Sequence, residues 1–83
     1  MAQSGTAGEI YPGVTVDPNI VHGKPVIKGT RVLVSRIVGH LAAGDSMETV
    51  CENYDLTPEQ VRAALGYAAS RVSEEEVYVI ASA

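Results

Sequence analysis

Histidine and cysteine, the side chains that most often bind metals or act as nucleophiles, occur at three positions: His22, His40 and Cys51. The histidines lie 18 positions apart and no His-x-x-x-His pattern surrounds them, so their spacing does not match a zinc site. Cys51 falls on the apolar stripe of a predicted helix, which is typical of a core thiol. We therefore predict surface or partly buried histidines, no metal site, no cofactor, no catalytic residue and no enzymatic activity.

Basic side chains are concentrated in the first half of the sequence. The net charge is −4, but four basic and two acidic residues give 1–40 a charge of +2, whereas two basic and eight acidic residues give 41–83 a charge of −6. The segment 21–35 has three basic residues and no acidic one. It is suited to phosphate or to an acidic partner, unless it is simply a solvated face. Lys24 and Lys28 have no acidic neighbours within it and are predicted to face a partner.

The elements that position these side chains divide the chain in two. Residues 1–9 have no periodicity and are predicted to form a flexible tail. Val14 and Val16 alternate with a polar residue, as in a half-buried strand, and the apolar pieces up to residue 34 are interrupted by Pro and Gly. We expect 10–34 to form a small hairpin or β-arm rather than a full sheet.

Helical periodicity begins at about residue 35. The first helix is predicted between a cap near Ser35 and a left-handed glycine at Gly44, and Asp45 or Ser46 caps the second. Thr57-Pro58-Glu59-Gln60 is a capping box with proline at the first helical position, and it begins a third helix. The apolar stripes of the three helices are Val34, Ile37, Val38 and Leu41; Met47, Val50, Cys51 and Tyr54; and Val61, Leu65 and Ala68.

The end of the chain allows two interpretations. Ser73 is a candidate cap for a short final helix through Glu74–Glu76, whose acidic residues suit a helix N-terminus. Alternatively, the third helix continues and Val77–Ile80 docks on a neighbour. In either case the predicted fold is a single domain over 10–83, mainly α, with a β-arm at 10–34 and a helical core at 35–83.

Three short capped helices are also the layout of a helix-turn-helix unit, whose last two helices would span 46–53 and 58–71 with Leu56 buried in the turn. In that interpretation the third helix reads DNA, since glutamine pairs with adenine and arginine with guanine. Asp55 and Glu59 oppose this docking because they bring negative charge near phosphates. The candidate DNA contacts are Gln60 and Arg62 for bases, and Lys24 and Lys28 for phosphates.

The stretch from residue 16 to residue 69, about two-thirds of the chain, resembles the bacterial and archaeal family called domain of unknown function 433. The motifs that carry the resemblance are Asp17-Pro18, Gly23-Lys24-Pro25-Val26-Ile27, Gly29-Thr30-Arg31, Ala42-Ala43-Gly44 and Leu56-Thr57-Pro58-Glu59. One departure is His22, where relatives more often have a small residue or cysteine. The resemblance implies a helix-turn-helix-like fold, usually dimeric. It also implies an antitoxin role, because many relatives are encoded beside PIN-like ribonucleases.

The Gly29-Thr30-Arg31 segment is a structural or partner-binding motif. Gly29 can adopt a positive φ, Thr30 can bond to nearby backbone, and Arg31 offers five donors in a fixed fork. We expect Arg31 to tie the arm to an acidic residue on the helices; contact with a ligand or phosphate is the alternative.

Together these features predict an antitoxin-like protein that neutralises a PIN-like ribonuclease and binds operator DNA as a homodimer. The dimer is expected because a lone arm exposes strand edges that a second copy would pair. The alternative is a protein-interaction module that does not bind DNA. No apolar run approaches the roughly 20 residues of a membrane span, and no signal peptide is evident, so we expect a cytoplasmic protein without membrane contact.

Overall fold

The computed structural model describes residues 7–75. Predictions that fall on 1–6 or 76–83, including most of the tail and Val77–Ile80, lie outside the described residues. In chain order the elements are β1 (Gly8–Tyr11), β2 (Val14–Val16), a 3₁₀ turn (Val21–Gly23), β3 (Val26–Ile27), α1 (Val34–Ala42), α2 (Met47–Tyr54) and α3 (Pro58–Ser73).

The three strands form one antiparallel sheet in the order β1-β2-β3, with Val14 opposite Ile27 and Thr15 opposite Val26. The three predicted helices are present, and β1 and β2 form the predicted hairpin, but a third strand extends the hairpin to a small sheet, so the fold is mixed α/β and rich in helix rather than mainly α. The third strand was not predicted, because it has only two residues and because Pro25 and Gly29 on either side of it interrupt the strand pattern. β1 begins at Gly8, two residues before the predicted start of the arm.

The sheet packs on the helices and shares one core with them. Val14 and Ile27 are 0% and 1% exposed, and they belong to the same buried cluster as Ile37, Val50 and Val61 of the three helices. The premise of an arm without a partner inside the domain was therefore wrong. A homodimer stays a prediction, because the family resemblance also implies one.

The helices begin and end close to the predicted residues, and local hydrogen bonds explain why. At the end of α1, the Gly44 N–H donates to Leu41 O and the Asp45 N–H to His40 O, while Gly44 has a φ of +104°. This is the Schellman pattern that a glycine permits. Ser46 caps α2 by accepting from the Thr49 N–H at 3.0 Å.

Two predicted caps differ from the structure. Leu33, not Ser35, precedes α1 as its N-cap, and no side chain caps this helix end. Ser73 is the last residue of α3, and its hydroxyl donates to Ser70 O instead of capping a new helix. Glu74 and Glu75 form a turn after α3.

The buried face of α3 is rotated slightly from the predicted stripe. Val61 and Ala64 are both fully buried, whereas Leu65 and Ala68 are only partly buried. Among residues 7–75, no helix has the length and apolar character that crossing a membrane would require.

Candidate partner-binding surface

The Gly29-Thr30-Arg31 segment forms a tight turn between β3 and α1. Gly29 has a φ of +78°, a conformation that favours glycine. The Thr30 hydroxyl donates to Ile27 O at 2.7 Å and accepts from the Val32 N–H at 3.0 Å. These two bonds fix the backbone on both sides of Arg31, whose side chain is exposed. The turn therefore holds an arginine in a defined position at the surface.

Arg31 and Arg36 line one groove of about 380 Å³, which we call the Arg31–Arg36 groove. The predicted ion pair between Arg31 and a helix carboxylate is absent from residues 7–75, and Arg36 has no ion pair in that part of the chain either. The groove therefore presents two cations whose charge the described part of the chain does not neutralise. Its other lining residues are Val21, Val32, Leu33 and Tyr54.

Backbone strain also marks this groove. Val21 has a φ of +48° and His22 a φ of +57°. A positive φ is a genuine outlier for a β-branched residue such as valine, and residues held in such conformations cluster at functional sites. The sequence pattern pointed to Arg31 but missed Arg36, because Arg36 lies on a helix and nothing in the spacing places it beside the turn.

Lys28 lies in the turn after β3 and forms an ion pair with Glu9 of β1. Its ammonium lies 3.2 Å from a carboxylate oxygen of Glu9, and both side chains are exposed. The Gly13 N–H donates to the other oxygen of Glu9 at 2.8 Å. This backbone hydrogen bond, followed by the contact with Lys28, lowers the pKa of Glu9 below its ordinary value. Lys28 therefore has an acidic neighbour in space that the sequence did not predict.

Gln60 is occupied by the capping box at the start of α3. The Thr57 N–H donates to Gln60 Oε1 at 2.8 Å, and the Gln60 N–H donates to the Thr57 hydroxyl at 3.1 Å. A bidentate contact with adenine needs both the oxygen and the amide nitrogen of the side chain, so the capped rotamer does not offer it. Arg62, two residues further on, is exposed and has no ion pair among residues 7–75.

The four DNA-binding candidates do not line a common groove. Lys28 and Gln60 border a small groove between the sheet and α3, which also includes Glu59. Lys24 instead borders a second groove with Arg71, between α1 and α3. Arg62 lines neither of them.

His40 links the ends of two helices. Its Nδ1 lies 2.8 Å from Asp45 Oδ2, and its Nε2 lies 2.8 Å from the Tyr54 hydroxyl. Both ring nitrogens thus have protein partners, which explains this histidine as a structural link between α1 and α2. No group of three or more potential metal ligands occurs within residues 7–75.

Comparison with protein-family models shows the family to which this chain belongs. The family model described as "Protein of unknown function (DUF433)" matches residues 14–68, from β2 to the later part of α3. The chain belongs to this family. The resemblance drawn from the sequence motifs is thereby confirmed.

Two named proteins are similar to this chain over about two-thirds of its length. A protein from Mycobacterium tuberculosis named "Putative antitoxin VapB45" is 40% identical over 52 residues, covering 63% of this chain and 22% of that protein. "Uncharacterized protein y4eO" from Sinorhizobium fredii is 43% identical over 56 residues, covering 66% of this chain and 25% of that protein.

A solved structure is similar as well. The crystal structure of Rv2018 from Mycobacterium tuberculosis aligns with a TM-score of 0.58 at 40% identity, over 63% of this chain and 24% of that one. This chain therefore spans only about a quarter of the length of the relatives it matches.

Proposed function

We propose that this chain is an antitoxin-like protein that binds and neutralises a PIN-like ribonuclease. The name of the Mycobacterium tuberculosis relative supports the antitoxin role, and the PIN-like partner is the one that the family resemblance implies. The observation that carries the proposal in this chain is that Arg31 and Arg36 line one groove and form no ion pair with any of residues 7–75. The same groove is the proposed contact with the toxin.

The chemistry of a nuclease explains why arginine suits this role. Nucleases that use metal ions hold them with carboxylates, and such an active site is negatively charged when the metal is not bound. Arginine forms paired, charge-assisted hydrogen bonds with carboxylates and loses little rotamer entropy per bond. The hydrogen bonds of Thr30 fix the backbone on both sides of Arg31 before binding, which reduces the backbone entropy lost on association. The two arginines are therefore proposed to occupy or cover the acidic site of the ribonuclease.

A ribonuclease inhibition assay tests this proposal. The PIN-like protein encoded beside this chain would be titrated with the full chain while cleavage of an RNA substrate is followed. We expect complete inhibition near one chain per toxin. Replacing both Arg31 and Arg36 by alanine should raise the half-inhibitory concentration by about 10- to 100-fold, the loss typical of arginine at the centre of an interface.

Arg62→Ala is the matched control, because Arg62 is an exposed arginine outside the Arg31–Arg36 groove. It should change the half-inhibitory concentration by less than about twofold, as is typical for a residue outside the interface. If the unaltered chain neither binds nor inhibits the ribonuclease, the antitoxin proposal is wrong. If it inhibits and the double variant inhibits equally well, the role stands and the contact lies elsewhere.

Binding of operator DNA by a homodimer is a second proposal, and the observation that favours it is Arg62. This exposed arginine lies on the second turn of α3, and only Asp55, Leu56 and Thr57 separate α3 from α2. We propose that α2 and α3 act as a helix-turn-helix, with Arg62 reading a guanine and Lys24 contacting a phosphate. Two neighbouring residues oppose this docking: Gln60 is occupied by the capping box, and Glu59 brings negative charge near the phosphates. The alternative is an interaction module that binds the toxin but no DNA.

A mobility-shift titration with the upstream region of the gene separates these alternatives. If DNA is bound, Arg62→Ala should reduce the discrimination between operator and unrelated DNA by about 1–3 kcal/mol. Lys24→Ala should weaken binding to every sequence and reduce the salt dependence by about one unit of slope. Lys28→Ala is a useful comparison, because Lys28 is already paired with Glu9. If no shift occurs at micromolar protein, with the toxin absent or present, the DNA-binding proposal is wrong and the chain is an interaction module that binds no DNA.

A further inference from the structure

An apolar groove between α1 and α3 has no cover among residues 7–75. It has a volume of about 570 Å³. Leu33, Val38, Tyr67 and Ala68 line it and are each only partly buried. Among residues 7–75, the charged residues that line it are Lys24 and Arg71, and both are cationic. We call it the α1–α3 groove; its occupant should be apolar with acidic residues beside it.

The described part of the chain ends beside this groove. Arg71 lines the groove two residues before the last residue of α3, and its guanidinium contacts Glu74 at 2.9 Å. The Glu74 N–H donates to Arg71 O and the Glu75 N–H to Val72 O, so the backbone turns directly after the helix. The last described residue, Glu75, is thus only four residues from Arg71 of the groove.

The sequence after this turn has the composition that the groove requires. Glu74, Glu75 and Glu76 are consecutive, and four apolar residues, Val77 to Ile80, follow at once. Eight residues, 76–83, extend about 26 Å when fully stretched. The groove's border along α3, from Arg71 back to Tyr67, is only about 6 Å long. The segment is thus long enough to fold back along the groove.

We propose that Val77–Ile80 of this same chain docks into the α1–α3 groove, with Glu74–Glu76 beside Lys24 and Arg71. An intramolecular segment has an advantage over a separate partner, because its short connection gives it an effective concentration in the millimolar range. Docking would remove apolar side-chain surface of this segment from water, which is favourable. This inference does not rest on the toxin, and it opposes the proposed phosphate contact of Lys24, because docked glutamates would neutralise that lysine.

The test uses the full chain in solution. We would compare it with the double variant Tyr78→Ser and Ile80→Ser by nuclear magnetic resonance and amide hydrogen exchange. In the unaltered chain, Val77 and Val79 amides should exchange about tenfold more slowly than in the double variant, because docking protects them. The double variant should also shift the resonances of Val38 and Ala68, and side-chain proximity signals should join Val38 to the Val77–Ile80 segment.

Val72→Ser is the matched control, because Val72 is a highly exposed apolar residue at the same end of α3 that does not line the groove. It should leave the exchange of Val77 and Val79 unchanged. Dilution separates the occupants: protection by the chain's own segment is independent of protein concentration, whereas loss of protection on dilution would mean that a second copy fills the groove and would overturn the proposal. Equal exchange in the unaltered and double-variant chains would overturn it as well.

Discussion

Ile37→Ala is expected to lower the free energy of unfolding by about 3–4 kcal/mol. Ile37 is 0% exposed and lies on α1, in the cluster that also contains Val14 of the sheet and Val61 of α3. The substitution removes three carbon atoms at the point where sheet and helices meet. Because elements from both halves of the chain surround the site, collapse of the cavity would require them to move together, and the cost should lie well above the lower end of the usual range of about 2–5 kcal/mol.

Chemical denaturation of the full chain measures this effect, and Leu65→Ala provides the comparison. The apolar period of α3 predicts Leu65 as a core residue, but its side chain is only partly buried. Its truncation should therefore cost about 1–2 kcal/mol, below the usual range for a fully buried leucine. If Leu65→Ala proved as damaging as Ile37→Ala, the assignment of the buried face of α3 would be wrong.

The helices could be predicted because their determinants are local in sequence. The Thr57–Gln60 capping box, the Ser46 cap and the left-handed Gly44 each act within a few residues, and all three form as expected. The sheet depends on contacts between distant residues. A strand as short as Val26–Ile27 has no recognisable period, and it is ordered by pairing with β2 and by burial against α3.

The same distinction applies to the candidate partner-binding surface. The turn at Gly29-Thr30-Arg31 was predicted correctly in its backbone chemistry, since its hydrogen bonds join residues two or three positions apart. The partners of charged side chains were not predictable in this way. Lys28 meets Glu9 across 19 positions, and Arg31 lies beside Arg36 because the turn and α1 fold together. Which cations remain available to a partner is therefore a property of the tertiary structure.

Gly13→Ala is the second substitution with a large expected effect, about 3 kcal/mol of destabilisation. Gly13 lies between β1 and β2 with a φ of +88°, which costs an alanine about 1–2 kcal/mol. A Cβ at this position would also lie 2.8 Å from the Cβ of Ala63 on α3, closer than two carbon atoms can approach. Overpacking of this kind adds about 1–3 kcal/mol. Gly29→Ala is the control for φ alone, because Gly29 has a φ of +78° and open space around it.

A double-mutant cycle separates the two contributions at Gly13. Apart from the residues adjacent in sequence, Ala63 is the only one of residues 7–75 that the added Cβ would meet within 4 Å, so Ala63→Gly should remove the clash while leaving the φ penalty. Gly13→Ala combined with Ala63→Gly should then be more stable, by about 1–2 kcal/mol, than the sum of the single effects predicts. Strict additivity would show that the turn and α3 are not in contact. A favourable coupling of this size would establish in solution that the sheet is packed against α3 as part of the core. The N-terminal strands would then be an integral part of the domain, and their packing would not require a second copy of the chain.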